Sequence, residues 1–298
     1  MKLSSHGKGL LLTICGVLII SPDALLVRLI QVDVWTLLFW RTLLTAIMMS
    51  LILIIRYRSR FFHSFRATGR TGLLSALVLM LGSLFFVNSL KQTAAANALI
   101  ILAATPVISS LLSWLVLREP IPRHTKIAIA TCFCGILFIF SGSLQNGLLW
   151  GDVLALAATT MWGTNIVIVR SVRNVNMIPA NVIGNLGVAP IVLFFGAQPL
   201  AVGAVDAGYL LLLGGLVLPF AFALITLGPR YLQAPEVSLI LLAETILGPL
   251  WVWLALDEVP HPRTLVAGLL ILTTLVIHTL ISRNRSHAGS EGDLLPAP

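Results

Sequence analysis

The side chains most able to do chemistry in this chain are the few ionisable and amide groups set inside long apolar runs. Placing a charge in hydrocarbon costs about 2.5–3.5 kcal/mol on insertion scales, so each such group needs a partner or a task. Glu244, in LLAETILGPLW, lies deepest and is the first candidate for a binding residue. A carboxyl there can exchange a proton for a cationic or zwitterionic ligand, or else stay protonated or tied to a backbone group between packed helices. Asp23 and Arg41 each stand about seven residues, roughly 10 Å of helix, from the turn joining two runs, so the two can meet at one depth. Such a pair is either a structural ion pair or a gate whose Arg41 receives a substrate carboxylate. Trp162 and Asn165, three residues apart, share a helix face on which an indole and an amide suit a planar or amphipathic ligand. Thr105, Asn88, Asn181 and Asn185 complete the polar candidates, with cross-linking of helices as their structural alternative.

Other residue types point away from catalysis. Cys15, Cys132 and Cys134 sit in apolar segments without metal-ligand spacing, and five of the six histidines fall in loops or tails, His278 being the exception. No phosphate loop or nucleophile elbow occurs, and no cofactor is expected. Pro106, Pro190, Pro219 and Pro249 interrupt apolar runs and can free carbonyls for a ligand. Gly214 and Gly215 read as close helix packing. Glu119 and Glu258, beside Arg123 and Arg263, read as solvated loop charges with a gate pair as the alternative.

The elements that must position these groups are membrane helices. Hydrophobic residues make up 58% of the chain and charged ones 10%, with a mean hydropathy of +0.99, which water does not support in a soluble domain. At about 20 apolar residues per crossing, ten spans are expected. They cover residues 9–30, 34–55, 71–90, 94–117, 126–141, 149–169, 180–197, 207–228, 235–256 and 263–281. The first is read as a retained span, since no small-x-small cleavage site follows it.

The net charge of +8 sits in short inter-span segments, which excludes a folded basic face for nucleic acid. Fifteen Lys and Arg fall on one side of the bundle and only Arg28, Lys91 and Arg263 on the other, which sets both termini in the cytoplasm. The polar segment 282–298 is expected to be a disordered cytoplasmic tail.

The two halves resemble each other. An offset of 139 pairs Leu102 with Leu241, Ala104 with Ala243, Thr105 with Glu244, Trp114 with Trp253, Leu117 with Leu256 and Glu119 with Glu258. An offset of 142 pairs Gly9 with Gly151, Asp23 with Asn165 and Arg28 with Arg170. Five spans per repeat is odd, so the second half enters the bilayer upside down. The expected fold is all-α and integral to the membrane, ten helices in two inverted five-helix repeats, 1–142 and 149–281, around a central cavity.

The duplicated helices, Phe39-Trp40-Arg41, Trp162-Gly163 and the closures LREPIPRHT and LDEVPHPRT resemble the EamA-type drug/metabolite transporter superfamily over residues 9–281. Ser21, Pro22 and Asp23 depart from its usual Trp-Gly in the first span. The resemblance implies secondary transport by alternating access, most often export of amino acids, related metabolites or amphiphilic drugs through the inner membrane, with a proton as an optional coupling ion. Its partners are then a small metabolite and membrane lipid, as monomer or homodimer. A membrane sensor or scaffold needs larger loops than the 15 residues from Arg56 to Arg70, and a lipid-modifying enzyme needs clustered acids or histidines at one depth.

Overall fold

The structure is a computed structural model that describes residues 5–58, 61–118, 121–172, 177–227, 231–232 and 234–292. All regular structure among them is helical. The order is α1 (Ser5–Ile20), α2 (Asp23–Leu29), α3 (Val34–Tyr57), α4 (Phe61–Gln92), α5 (Ala95–Ala103), α6 (Thr105–Leu117), α7 (Arg123–Asn146) and α8 (Leu149–Ser171). Then come α9 (Ile178–Phe194), α10 (Ala204–Leu210), a π-helical segment (Leu211–Val217), α11 (Leu218–Leu227), α12 (Ala234–Leu256) and α13 (Pro262–Gly292).

Local chemistry sets the breaks. Asp33 caps α3 by accepting from the Trp35 and Thr36 amides. Gly147, at φ 71°, closes α7 in the left-handed region that glycine enters without strain. Pro219 has no N–H to offer the turn before it, and the π-helical segment precedes it there. Pro106 opens α6 just after a 42° bend from α5.

Among the described residues eight helical stretches are long and apolar enough to cross a bilayer, and the bent pair α5–α6 makes a ninth. The remaining expected span, 180–197, differs from its expected bounds. Helix α9 is 17 residues, about 25 Å long. It ends before Gly196, whose φ of 92° turns the chain away. Helix α13 continues past Ile281 to Gly292.

The repeat is visible in backbone register. Helices α5 and α12 begin at Ala95 and Ala234, α6 and α12 end at Leu117 and Leu256, and α7 and α13 begin at Arg123 and Pro262, each pair 139 residues apart. Arg118 (φ 55°) and Asp257 (φ 54°) carry the same left-handed conformation at the same spacing. The halves interlock: α4 packs on α8 and α9, α1 on α11 and α12, α3 on α9, and α7 on α13. Leu11, Ile55, Leu73, Leu265 and Leu269 face outward, whereas Asp23, Arg41, Asn97 and Asp152 are buried. An apolar exterior around a polar interior is what hydrocarbon solvent selects.

Candidate functional site

The first span is interrupted at Ser21-Pro22, and α2 restarts with Asp23 in its first turn. That break turns the Asp23 carboxylate toward α3, where the Arg41 Nη2 donates to both of its oxygens at 3.2 and 3.0 Å. Arg41 Nη1 reaches the Ser83 hydroxyl on α4 at 3.4 Å, while its Nε has no partner among the described residues. Asp23 is 6% and Arg41 7% exposed, so this is a desolvated ion pair. The expected meeting of these two residues at one depth is therefore observed.

Helix α12 brings Glu244 to the same place from the second half. The stripe Glu244, Gly248 and Trp251 lies against the break in the first span: the absent side chain of Gly248 leaves room for Leu99 and the Ser21 carbonyl. Trp251 Nε1 donates to Ser21 Oγ at 2.9 Å. Glu244 is half-buried and interacts electrostatically with Asp23. Among the described residues no hydrogen bond or ion pair reaches its carboxyl.

Trp162 of α8 adjoins the pair through α4. Its ring packs at 5.1 Å from that of Phe86, and a methyl at Gly82 would stand 2.7 Å from its Nε1, so Gly82, next to Ser83, admits the indole. Asn165 stands apart, its Oδ1 accepting from Ser75 Oγ at 2.6 Å, two turns of α4 below Ser83. The remaining candidates turn back on their own helices. Asn88 donates to Leu84 O, Asn185 to Asn181 O and Oδ1, and Thr105 to Leu102 O at the α5–α6 bend. A cavity of about 510 Å³ lies at the loops, lined by Gln31, Asp33, Trp35, Gln198 and Asp206, and one of about 30 Å³ lies beside Asn97 and Thr264. Neither is lined by Glu244, Arg41, Trp162 or Asn165.

Two further clusters emerge, and the first had no place in the sequence reading. Asp152, fully buried at the start of α8, accepts from Thr93 Oγ1 and from Asn97 Nδ2 at 3.2 Å. Asn97 also donates to Ser143 Oγ at 3.1 Å and accepts from Thr264 Oγ1 at 2.6 Å. Five residues from α4–α5, α7, α8 and α13 are thus tied together. The signal was present: Asp152 is an acid inside a predicted span.

The second cluster corrects a reading. Glu258 is no solvated loop charge beside Arg263. Its Oε1 receives Arg28 Nη2 at 3.1 Å and the Ala95 amide at 2.9 Å. Arg263 instead reaches Gln145 Oε1 at 3.2 Å. Glu119 lies outside the described residues. Gly215 is a further correction, because an added methyl there meets nothing within 4 Å, whereas at Gly214 it would stand 2.8 Å from the Arg41 carbonyl.

Comparison with known proteins places this geometry. The EamA-like transporter family matches residues 7–141 and again 149–280. The chain belongs to that family. It is a multi-pass, all-helical membrane protein of two EamA repeats, within the drug/metabolite transporter superfamily, whose EamA members are transporters. Fourteen chains of solved structures match. One, described only as the crystal structure of a protein, superposes with a TM-score of 0.66 over 93% of this chain and 99% of that chain at 18% identity, which speaks for a shared fold. No curated protein matches.

Proposed function

We propose that this EamA protein is a secondary exporter of small cationic or zwitterionic metabolites, of the amino-acid or amphiphilic-amine kind. It works by alternating access between two inverted five-helix halves in the inner membrane, with both termini in the cytoplasm. In this reading α9 is the tenth span, its 17 residues sufficing where the bilayer thins. The observation that carries the proposal is that Glu244, from the second repeat, lies near enough to the buried Asp23–Arg41 pair of the first for its charge to interact with that of Asp23.

When ionised, those three groups hold two negative charges against one positive. A desolvated site does not keep a surplus charge, so a proton or the cationic group of a cargo neutralises it, and the two compete. Arg41 can in turn offer a substrate carboxylate its guanidinium as the pair with Asp23 opens. Trp162 and Trp251 supply indole faces beside the charges, as a metabolite with an apolar portion needs. Both sides of the site come from different repeats, so relative motion of the halves exposes it to one face or the other.

The test is flux in proteoliposomes of purified protein, using a panel of amino acids and organic amines, with and without a pH gradient. A member moved by wild-type protein above empty liposomes, with flux responding to the gradient and that response lost in Glu244→Gln, supports the reading. Unchanged flux and unchanged response in Glu244→Gln remove Glu244 from the mechanism. No transport of any member by folded protein removes this class of cargo.

A further inference from the structure

We infer that Asp152 is a proton-binding residue at the face where α7 ends and α8 begins, reached from water through a small cavity and the Ser143 hydroxyl. On the topology proposed above this is the outer face, and the proton bound there is one that an exporter takes up. That last step rests on the proposed function; the binding of the proton does not.

Asp152 is fully buried and lies in the first turn of α8. Its neighbour Gly151 sets it there. A methyl on Gly151 would stand 2.6 Å from the Thr93 amide nitrogen and 2.7 Å from Thr93 Cβ, so its absence lets α8 press against the α4–α5 junction. The Asp152 carboxyl takes the hydroxyl of Thr93, the amide of Asn97 at 3.2 Å and the hydroxyl of Ser143. All three partners are neutral. The charged groups at this end of the bundle are engaged elsewhere: Arg28 with Glu258 and the Thr93 carbonyl, Lys91 with the Ile30 carbonyl, and Arg263 with Gln145. His261 accepts from the Arg263 amide. Of the helices packed on α8, α5 and α6 carry no titratable side chain, α7 none after Cys134, and α4 only Lys91 after Arg70. An ionised Asp152 therefore holds a full charge out of water with no cation in contact among the described residues, which burial penalises heavily. A proton removes that charge while the hydroxyl and amide partners stay.

A path to water adjoins the carboxyl. The cavity of about 30 Å³ is lined by Asn97, Ser143 and Thr264 of this network and by Asn146, His261 and Arg263. Asn146 and His261 are exposed whereas Asn97 and Ser143 are buried, so the cavity leads from the surface to the network. It has room for about one or two water molecules. Asp152 does not line it, and a hydroxyl, unlike an amide, readily gives up one proton while accepting another. Ser143, which touches both the cavity and the carboxyl, is therefore the relay. An excess proton arriving on cavity water passes to Ser143 Oγ as Ser143 gives its own to an Asp152 oxygen. One O–H bond forms on Asp152, Ser143 ends as it began, and the net change is the uptake of one proton. Thr93 carries the consequence. Its hydroxyl meets Asp152, and its carbonyl holds Arg28, which is bonded to Glu258 of the other repeat. A contact between the halves thus lies one residue away from the group that takes the proton.

Infrared difference spectroscopy of the full-length protein in lipid nanodiscs, titrated from alkaline to acid, reads the proton without a known cargo. A protonated-carboxyl band is expected in the wild type, with a component that is lost in Asp152→Asn and kept in Glu244→Gln. After a rapid drop in pH that component is expected to form about a hundredfold more slowly in Ser143→Ala. If Asp152→Asn does not fold, isotopic labelling of aspartate carboxyl carbons must shift the wild-type component and Ser143→Ala must move it again, because that hydroxyl bonds Asp152. No such component, one untouched by Asp152→Asn, or equal rates in Ser143→Ala overturns the inference. Proteoliposome flux separates it from the proposed function. A pH-gradient response lost in Asp152→Asn, while cargo still runs down its own gradient, supports uptake of the coupling proton there. Folded wild type that moves no cargo sinks the exporter reading alone, since the infrared component is read without cargo. A component missing from protein that does transport sinks Asp152 alone.

Discussion

Neutralising Asp23 alone should destabilise the protein more than removing both charges of its ion pair. In Asp23→Asn the Arg41 guanidinium keeps Ser83 at 3.4 Å but remains a 7%-exposed cation whose Nε is already without a partner. At the observed 3.0 Å, and with an effective dielectric constant of about 20, the attraction lost is about 5 kcal/mol. Releasing Asp23 from its own desolvation offsets part of that, which leaves a cost of about 3–5 kcal/mol for stripping one partner from a buried pair. The double variant Asp23→Asn/Arg41→Met leaves no buried charge and should cost about 2 kcal/mol or less. With a like cost for Arg41→Met alone, the coupling between the sites is about 4 kcal/mol or more. Equilibrium unfolding with SDS in mixed micelles, followed by fluorescence of the seven tryptophans, measures it. If the single effects add to within about 0.5 kcal/mol, Asp23 and Arg41 do not act as a unit and the ion-pair argument is wrong.

Adjacent glycines give a sharper contrast. Gly214→Ala places a methyl 2.8 Å from the Arg41 carbonyl and should cost about 1–3 kcal/mol, whereas Gly215→Ala meets open space and should be neutral or gain up to about 1 kcal/mol. Thermal unfolding in detergent distinguishes them, and equal effects contradict the packing described. In the Asn97 network, Asn97→Ala leaves the fully buried Asp152 without an amide donor and should lower stability by about 2–3 kcal/mol. Thr264→Val removes one hydroxyl and should cost about 1 kcal/mol in the same melt. A larger loss for Thr264→Val than for Asn97→Ala would show the network to be centred elsewhere.

What the sequence made legible follows from how each signal is written. The membrane-length helices and the Asp23–Arg41 meeting depend on counting along a helix from a turn, and the rise per residue does that arithmetic. Contacts across the bundle carry no such count. Thr42, Thr160 and Thr164 each bond a carbonyl one turn back, as membrane hydroxyls ordinarily do. Nothing in the sequence separates them from Thr93 and Thr264, which reach other helices. Arg28 and Glu258 are 230 residues apart, and only the fold brings them together. Gly214 and Gly215 look alike until the π-helical segment decides which one faces Arg41. The 17-residue α9 ended earlier than expected because the apolar run continues past Phe194 to Ala197 while the helix does not.

The bend at Ala104 breaks the likeness of the halves. Between α5 and α6 the axis turns by 42°, whereas at the matching Ala243 helix α12 runs on unbroken. Two identical halves exchanging roles would leave the forms open to either side equal in energy. With the bend confined to one half, exchanging roles means straightening it in one place and making it in another. A difference of about 1.4 kcal/mol already favours one form tenfold. Under the alternating access proposed here, the empty protein therefore has a preferred side on which to wait for its cargo.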